Sequence, residues 1–274
     1  MSRNSVVIHS DAGTASTLFA KAAGIIETVS PGTDAVDASQ NFEKGNAAMV
    51  SAYLFTSVPF WPDGTVFLSL VGDGEPIAAR LKNGSYIVSP NNGTLTMTAG
   101  LLGFDCARHI DPALYGNDGW EAVRCAAALA GGAPFDSAGP LMDDSATVFF
   151  SMEKAVIGDG FAEGAVSMLL ENFGNLTFTI GTDEFEDTGI RTGDRIRVTF
   201  TRNGEIQYDE EMTYQPSFGY VPVGDPVVFN GSSGYMDIGL NMKSFIDECI
   251  PQILDCPDPG EFKVRIEKIT GERK

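Results

Sequence analysis

Short apolar runs alternate with helical stretches through the first half of the chain, whereas the second half consists of short runs with almost no helical pattern. Residues 6–9 (VVIH) read as a strand that ends at a turn carrying Asp11 and Gly13. Residues 15–28 read as the helix that follows, stopped by Pro31 and Gly32. A second strand is expected over 34–38 and a second helix over 44–56. The nearly unbroken apolar run 64–72 (GTVFLSLVG) has the pattern of a fully buried third strand, entered through the Pro-Asp-Gly turn at 62–64. PIAARL and SYIVS, joined by Lys82-Asn83-Gly84, read as a hairpin, since an Asn-Gly dipeptide suits a tight turn between strands. Residues 120–130 form an Ala-rich helix closed by Gly131 and Gly132.

Past residue 150 the strands VFFSM, GAVSMLLENFGNLTFTI, RIRVTF, EIQYDEEMTY, PVVFN and YMDIG follow one another, with one short helix at 243–254 and a return to strand after Pro257. The pattern predicts two domains. Residues 1–150 form an α/β domain with a largely parallel sheet, and residues 151–274 a smaller all-β domain, an antiparallel sheet or barrel. The Gly-, Pro- and Asp-rich stretch 133–145 is the expected crossing.

A chain of 274 residues is long enough for two cores, and 43% hydrophobic with 20% charged residues is an ordinary globular composition. The net charge of −19 repels phosphate backbones and anionic lipid, so neither nucleic acid nor membrane is an expected partner. That field tolerates a cationic ligand, although acidity by itself also serves plain solubility. No apolar run is long enough to span a bilayer and the opening MSRNSVVIHSDAG does not read as a signal peptide, so a cytoplasmic location is expected. Cys106, Cys125, Cys249 and Cys256 include no CxxC pair, and His9 and His109 are the only histidines. No metal site is therefore expected, and a Ser or Cys hydrolase relying on a histidine base is disfavoured. His9, at the end of a strand, reads as a core histidine.

Four segments carry candidate chemistry. Asp11 follows an apolar strand, where the carboxyl end of a parallel strand opens onto a ligand crevice. It fits either a ribose-binding carboxylate or a cap for the next helix. SPNNGTLT (89–96) is a turn by itself, rich in amides. ENFGNLT (171–177) alternates a carboxylate, an aromatic ring and an amide, compatible with sheet packing or with reading a base. NGSSGYMDIGLN (230–241) begins with a small polar loop of the kind that holds carboxylates through backbone N–H groups.

In order along the chain, SDAG (10–13), WPDGTVFLSLV (61–71), NGSYIVSPNNGTLT (83–96), FGNLTFTI (173–180) and SSGYMDIGLN (232–241) resemble the family of adenosine-forming S-adenosylmethionine hydrolases, fluorinase and chlorinase. The resemblance implies a larger N-terminal α/β domain, a smaller antiparallel β domain and a homotrimer with ligand sites between subunits. It also implies displacement of L-methionine from the 5′ carbon of S-adenosyl-L-methionine by water or halide, with no resident cofactor. The thioether leaves neutral and needs no proton, which suits a chain poor in histidine; the site has chiefly to align, desolvate and, for water, deprotonate the nucleophile. Position by position, the resemblance makes Asp11 the ribose ligand, Phe173 and Asn175 the adenine neighbours and Tyr214 an aromatic stacking on the base. It sets Ser233 and Glu171 near the methionine carboxylate and amine, Asn241 and Met242 where main chain meets adenine, and Trp61 on the methionine side.

The chain departs from the family where water is activated. Family hydrolases carry Val-Asp-Pro-Gly-Val-Gly-Thr-x-Arg after the third strand and a His in Phe-His-Gly-Arg-Asp. Here the first segment is shortened to residues 71–75 (VGDGE), with Asp73 and Glu75 as the available carboxylates and no counterpart of the Arg; Tyr115 stands where the His would be. Losing acid–base groups costs on the order of 10²–10⁴-fold in rate. The expected function is thus an S-adenosylmethionine enzyme releasing adenosine and methionine, with Asp73, Glu75 and Tyr115 as catalytic candidates. The alternatives are a binding protein that has lost catalysis and a halide-using member; the short Lys82-Asn83-Gly84 hairpin, without the halogenases' extra loop, favours descent from the hydrolases.

Overall fold

The computed structural model describes residues 5–150, 153–170, 172–256 and 258–269. The chain divides into two compact units, Met1–Phe150 and Ser151–Lys274.

The first unit is built on six strands: β1 (Val6–Ser10), β2 (Ala35–Ser39), β3 (Val66–Leu70), β4 (Pro76–Leu81), β5 (Tyr86–Pro90) and β6 (Phe104–His109). They lie in the order β2-β1-β3-β5-β4-β6. The pairings among β2, β1, β3 and β5 are parallel, while β4 is antiparallel to both β5 and β6. The sheet is therefore mixed rather than largely parallel. Its cause is the short turn after Leu81, which reverses the chain with Gly84 at φ +84° and can join only antiparallel neighbours.

Among the described residues, the α-helices α1 (Leu18–Val29), α2 (Ala47–Ser57), α3 (Thr96–Thr98), α4 (Pro112–Tyr115) and α5 (Glu121–Ala130) accompany the sheet. Strand alternation sorts the core into two layers. Val6 and Ile8 pack with Ile26 of α1 and Val123 of α5, whereas Val7 and Phe67 pack with Val50 and Leu54 of α2. Both faces are covered, which is why β3 reads as an unbroken apolar run. Strand β6 escapes the hydrophobic pattern because Asp105 and Arg108 interrupt it and are held by ion pairs to Arg80 and Asp136.

The second unit contains β7 (Val156–Gly158), β8 (Phe161–Leu170), β9 (Asn175–Gly181), β10 (Arg195–Arg202), β11 (Glu205–Tyr214), β12 (Pro226–Asn230), β13 (Tyr235–Leu240) and β14 (Lys263–Lys268). The order is β14-β10-β11-β12-β13-β9-β8-β7, and pairing of β14 with β8 closes it into a barrel. Two details differ from an all-β antiparallel domain. Strands β11 and β12 run parallel over two residue pairs, and two five-residue helices, α6 (Thr182–Glu186) and α7 (Phe245–Cys249), are set between strands. The expected VFFSM strand does not form over 148–150, and its last two residues, like Pro257, lie outside the described residues. Phe178, Phe200, Phe245 and Phe262 fill the barrel, each buried side chain worth roughly 1.5–3 kcal/mol relative to exposure. Among the described residues no helix is long and apolar enough to cross a membrane.

Candidate functional site

Strands β1, β3 and β5 are parallel, so their carboxyl ends at Ser10, Leu70 and Pro90 share one edge of the sheet. Beyond that edge the first unit has an open cavity of about 410 Å³ lined by Asp11, Lys44, Gly45, Ala47, Gly72, Asp73 and Asn92. Asp11 organises it. Its Oδ2 accepts the N–H of Gly45 at 2.8 Å and that of Gly72 at 3.2 Å, tying the segment before α2 to the segment after β3. The other carboxylate oxygen has no protein partner among the described residues. Asp11 is not a helix cap: α1 starts at Leu18, whose N–H is taken by the Ser16 hydroxyl.

Asn92 braces the same cavity from β5. Its Nδ2 donates to the Val71 carbonyl at 3.1 Å, and its Oδ1 accepts from the Thr94 hydroxyl at 2.8 Å. Gly72, at φ +70°, passes so close that a Cβ there would lie 3.0 Å from Asn92 Nδ2 and 3.3 Å from Gly45 Cα. Glycine is thus required both by the left-handed backbone and by the close approach. Lys44, Gly45 and Asn92 were not singled out from sequence; the amide-rich SPNNGTLT turn was the available signal for Asn92.

Of the catalytic candidates, Asp73 is exposed and lines the cavity. Glu75 is also exposed, and its Oε1 lies 2.6 Å from Nδ1 of His109. Tyr115 is not among the lining residues. It is buried in the core layer under α5, its hydroxyl donating to the Ser137 carbonyl at 3.2 Å, and burial raises its phenol pKa. Arg124, the nearby guanidinium, is engaged by both oxygens of Asp118 and by the Tyr115 carbonyl; this pairing lowers Asp118 to about 2. Trp61 is half-buried edge-on against Phe67 and does not line the cavity. His9 is buried with its ring against Phe42, and desolvation lowers its pKa to about 4.

In the second unit, Leu176 and Phe178 point into the barrel, so alternation turns Asn175 and Thr177 to its outer face. Asn175 is buried there against Gly239, where a Cβ would come 2.2 Å from its Oδ1. Phe173 precedes it on the turn after β8 and is 71% exposed, a large apolar ring left uncovered. Tyr214 lies apart from these two. It packs in the barrel core edge-on to Phe185, with its hydroxyl donating to Asn230 Oδ1 at 2.8 Å. The stacking surface expected of it is thus engaged within the barrel. Ser233 sits in the loop between β12 and β13, its buried Oγ without a partner among the described residues. Asn241 donates to the Val221 carbonyl at 2.6 Å, and Met242, at φ +61°, is 79% exposed. Glu171 lies outside the described residues.

Beneath the Ser233 loop is a carboxylate that sequence reasoning missed. Asp237 on β13 is 4% exposed, its Oδ1 has no partner among the described residues, and Gly231 passes so close that a Cβ there would lie 2.6 Å from the carboxyl group. Burial pushes its pKa up to about 6, with the facing Thr177 hydroxyl acting in the opposite sense. Its position as one polar residue inside YMDIG gave no sign of this burial.

A family of two-domain proteins shares both units. Residues 6–118 match the SAM hydroxide adenosyltransferase N-terminal domain and residues 168–249 match its C-terminal domain. The chain belongs to the SAM hydroxide adenosyltransferase family. It is 26% identical to the fluorinase of Actinopolyspora mzabensis over 89% of this chain and 92% of that protein. It is 25% identical to the fluorinase of an Actinoplanes species over 86% and 90% respectively. An uncharacterized conserved protein from Thermotoga maritima has the same fold, with a TM-score of 0.80 at 23% identity over 95% of this chain and 99% of that one.

Proposed function

We propose that the chain is an enzyme that displaces L-methionine from the 5′ carbon of S-adenosyl-L-methionine with water, giving adenosine and methionine. The observation that carries the reading is the cavity at the carboxyl edge of the first sheet, where Asp11 keeps one oxygen free and Asp73 stands on the shortened connection after β3. A carboxylate with a free oxygen suits the paired hydroxyls of a ribose. Phe173 and Asn175 offer a flat apolar ring and an amide to adenine, and the unpartnered Ser233 hydroxyl suits a carboxylate. The leaving thioether needs no acid, so the demands on the chain are alignment, exclusion of bulk water and removal of one proton from the attacking water. Assembly as a homotrimer and a cytoplasmic location belong to the same proposal.

Two further readings have specific support. The burial of Tyr115 and the engagement of Arg124 by Asp118 favour a protein that binds S-adenosylmethionine without turning it over. The naming of its relatives as fluorinases favours a halide as nucleophile. Incubation with S-adenosylmethionine, with and without chloride or fluoride, followed by chromatography of adenosine, 5′-haloadenosine and methionine, separates the three. Adenosine formation independent of halide is the expected result. Calorimetric binding without any product would replace the hydrolase reading with the receptor, and a 5′-haloadenosine would replace water with halide.

A further inference from the structure

Strand β6 ends at His109, and the β4–β6 ladder pairs His109 with Ile77, two residues after Glu75. Because β6 runs antiparallel to β4, and β4 antiparallel to β5, the end of β6 lies at the same sheet edge as the ends of β1, β3 and β5. That is the edge onto which the cavity opens. Ala107, two residues before His109, packs in the layer under α2, so alternation puts His109 on the face covered by α2, whose first residue, Ala47, lines the cavity. Glu75 is joined to the cavity wall from two directions. Asp73 lines the cavity two residues earlier, and the Glu75 carbonyl accepts the N–H of Asn91, next to Asn92.

We propose that His109 is the general base for the attacking water and that Glu75 is the residue positioning it, a pair that takes over from the water-activating groups this chain lacks. The inference rests on the hydrolase reading above. An ionised carboxylate only accepts, so the 2.6 Å contact fixes the neutral ring with Nδ1–H toward Glu75 and leaves the lone pair of Nε2 as the basic site. In the step, the water oxygen forms a bond to C5′ as the C5′–S bond breaks. The bonding pair goes to sulfur, which leaves as the neutral thioether of methionine, and the water proton passes to Nε2, stabilised there by Glu75 until it is lost to solvent. Histidine and carboxylate are both partly exposed, as a pair that exchanges protons with solvent must be.

The test compares wild type, His109→Ala, Glu75→Gln and Glu75→Asp by adenosine release and by calorimetric titration of S-adenosylmethionine. His109→Ala is expected to lose on the order of 10²–10⁴-fold in kcat with an unchanged Kd, and added imidazole to restore part of the rate. Glu75→Gln is expected to lower kcat without moving KM, with Glu75→Asp recovering part of it. A His109→Ala kcat within threefold of wild type, or a loss that follows Kd and is not relieved by imidazole, overturns the proposal and leaves the hydrolase reading standing. Binding without turnover by the wild type removes the hydrolase reading and the base together, and failure of the wild type to bind removes the ligand itself.

Discussion

Replacing Asp237 with asparagine removes a charge from the outer face of the barrel sheet, and the structure sets both the size and the pH range of the effect. Folding carries this carboxyl from a pKa of 3.8 to about 6, because burial disfavours the ionised form. The native state therefore binds the proton more tightly than the unfolded chain. The resulting stabilisation is fully present below pH 3.8 and is lost as pH rises through 6. At pH 8 the ionised form disfavours the native state by about 3 kcal/mol relative to the low-pH limit. Asp237→Asn should thus be close to wild type in stability near pH 4 and more stable by up to about 3 kcal/mol at pH 8, with the difference growing across that interval. Urea denaturation followed by circular dichroism at pH 4, 6 and 8 measures it; both tryptophans, Trp61 and Trp120, belong to the first unit, so their fluorescence does not report on the barrel. Comparing variant with wild type cancels the other titrating groups. A difference that stays constant from pH 4 to 8 would refute the reasoning.

Asp11→Ala removes the acceptor shared by Gly45 and Gly72, each bond worth about 1 kcal/mol, and should weaken S-adenosylmethionine binding at least tenfold by calorimetry. Wild-type affinity in that variant would remove Asp11 from the site. Gly239→Ala forces Asn175 Oδ1 away from its present place, 2.2 Å from the new methyl, and should raise Kd by roughly tenfold or more, about the loss of one good hydrogen bond; an unchanged Kd would detach Asn175 from adenine recognition. His9 acts in the opposite sense to Asp237. Its pKa falls from 6.5 to about 4 on burial, so its stabilisation is present above pH 6.5 and is lost as pH falls toward 4, by about 3 kcal/mol. Tryptophan fluorescence melts between pH 7 and 4 should show a steeper loss in wild type than in His9→Asn, and parallel curves would exclude the histidine as the cause.

Much of the fold was legible because local signals agreed with it. The runs PIAARL and EIQYDEEMTY are β4 and β11 residue for residue, each bounded by turn residues. What stayed hidden was long-range. Closure of the barrel depends on β14 meeting β8 about a hundred residues away, for which no local pattern exists. The site divides in the same way. Asp11 stands out because a polar residue follows an apolar strand, whereas Asn92 and Gly45 join it only through hydrogen bonds between distant loops. Tyr115 was expected in the site from motif order, but its local helix turns it into the core, where an aromatic ring is worth more buried than exposed. The Glu75–His109 contact spans 34 positions and exists only because β4 and β6 are neighbours.

The β8–β14 pairing also makes the second unit a ring whose point of opening is arbitrary. Phe161 and Glu267 are ladder partners, so β8 and β14, the first and last strands of the closed ring, lie side by side. A short linker bridging that gap, with new ends cut between Asn203 and Gly204 at the tip of the β10–β11 hairpin, would retain every strand pairing while reversing the order in which the two halves are synthesised. In such a permuted barrel the strands bearing Asn175 and Asp237 would swap their order along the chain yet remain adjacent, so the surface they form belongs to the closed sheet and not to the sequence order that builds it.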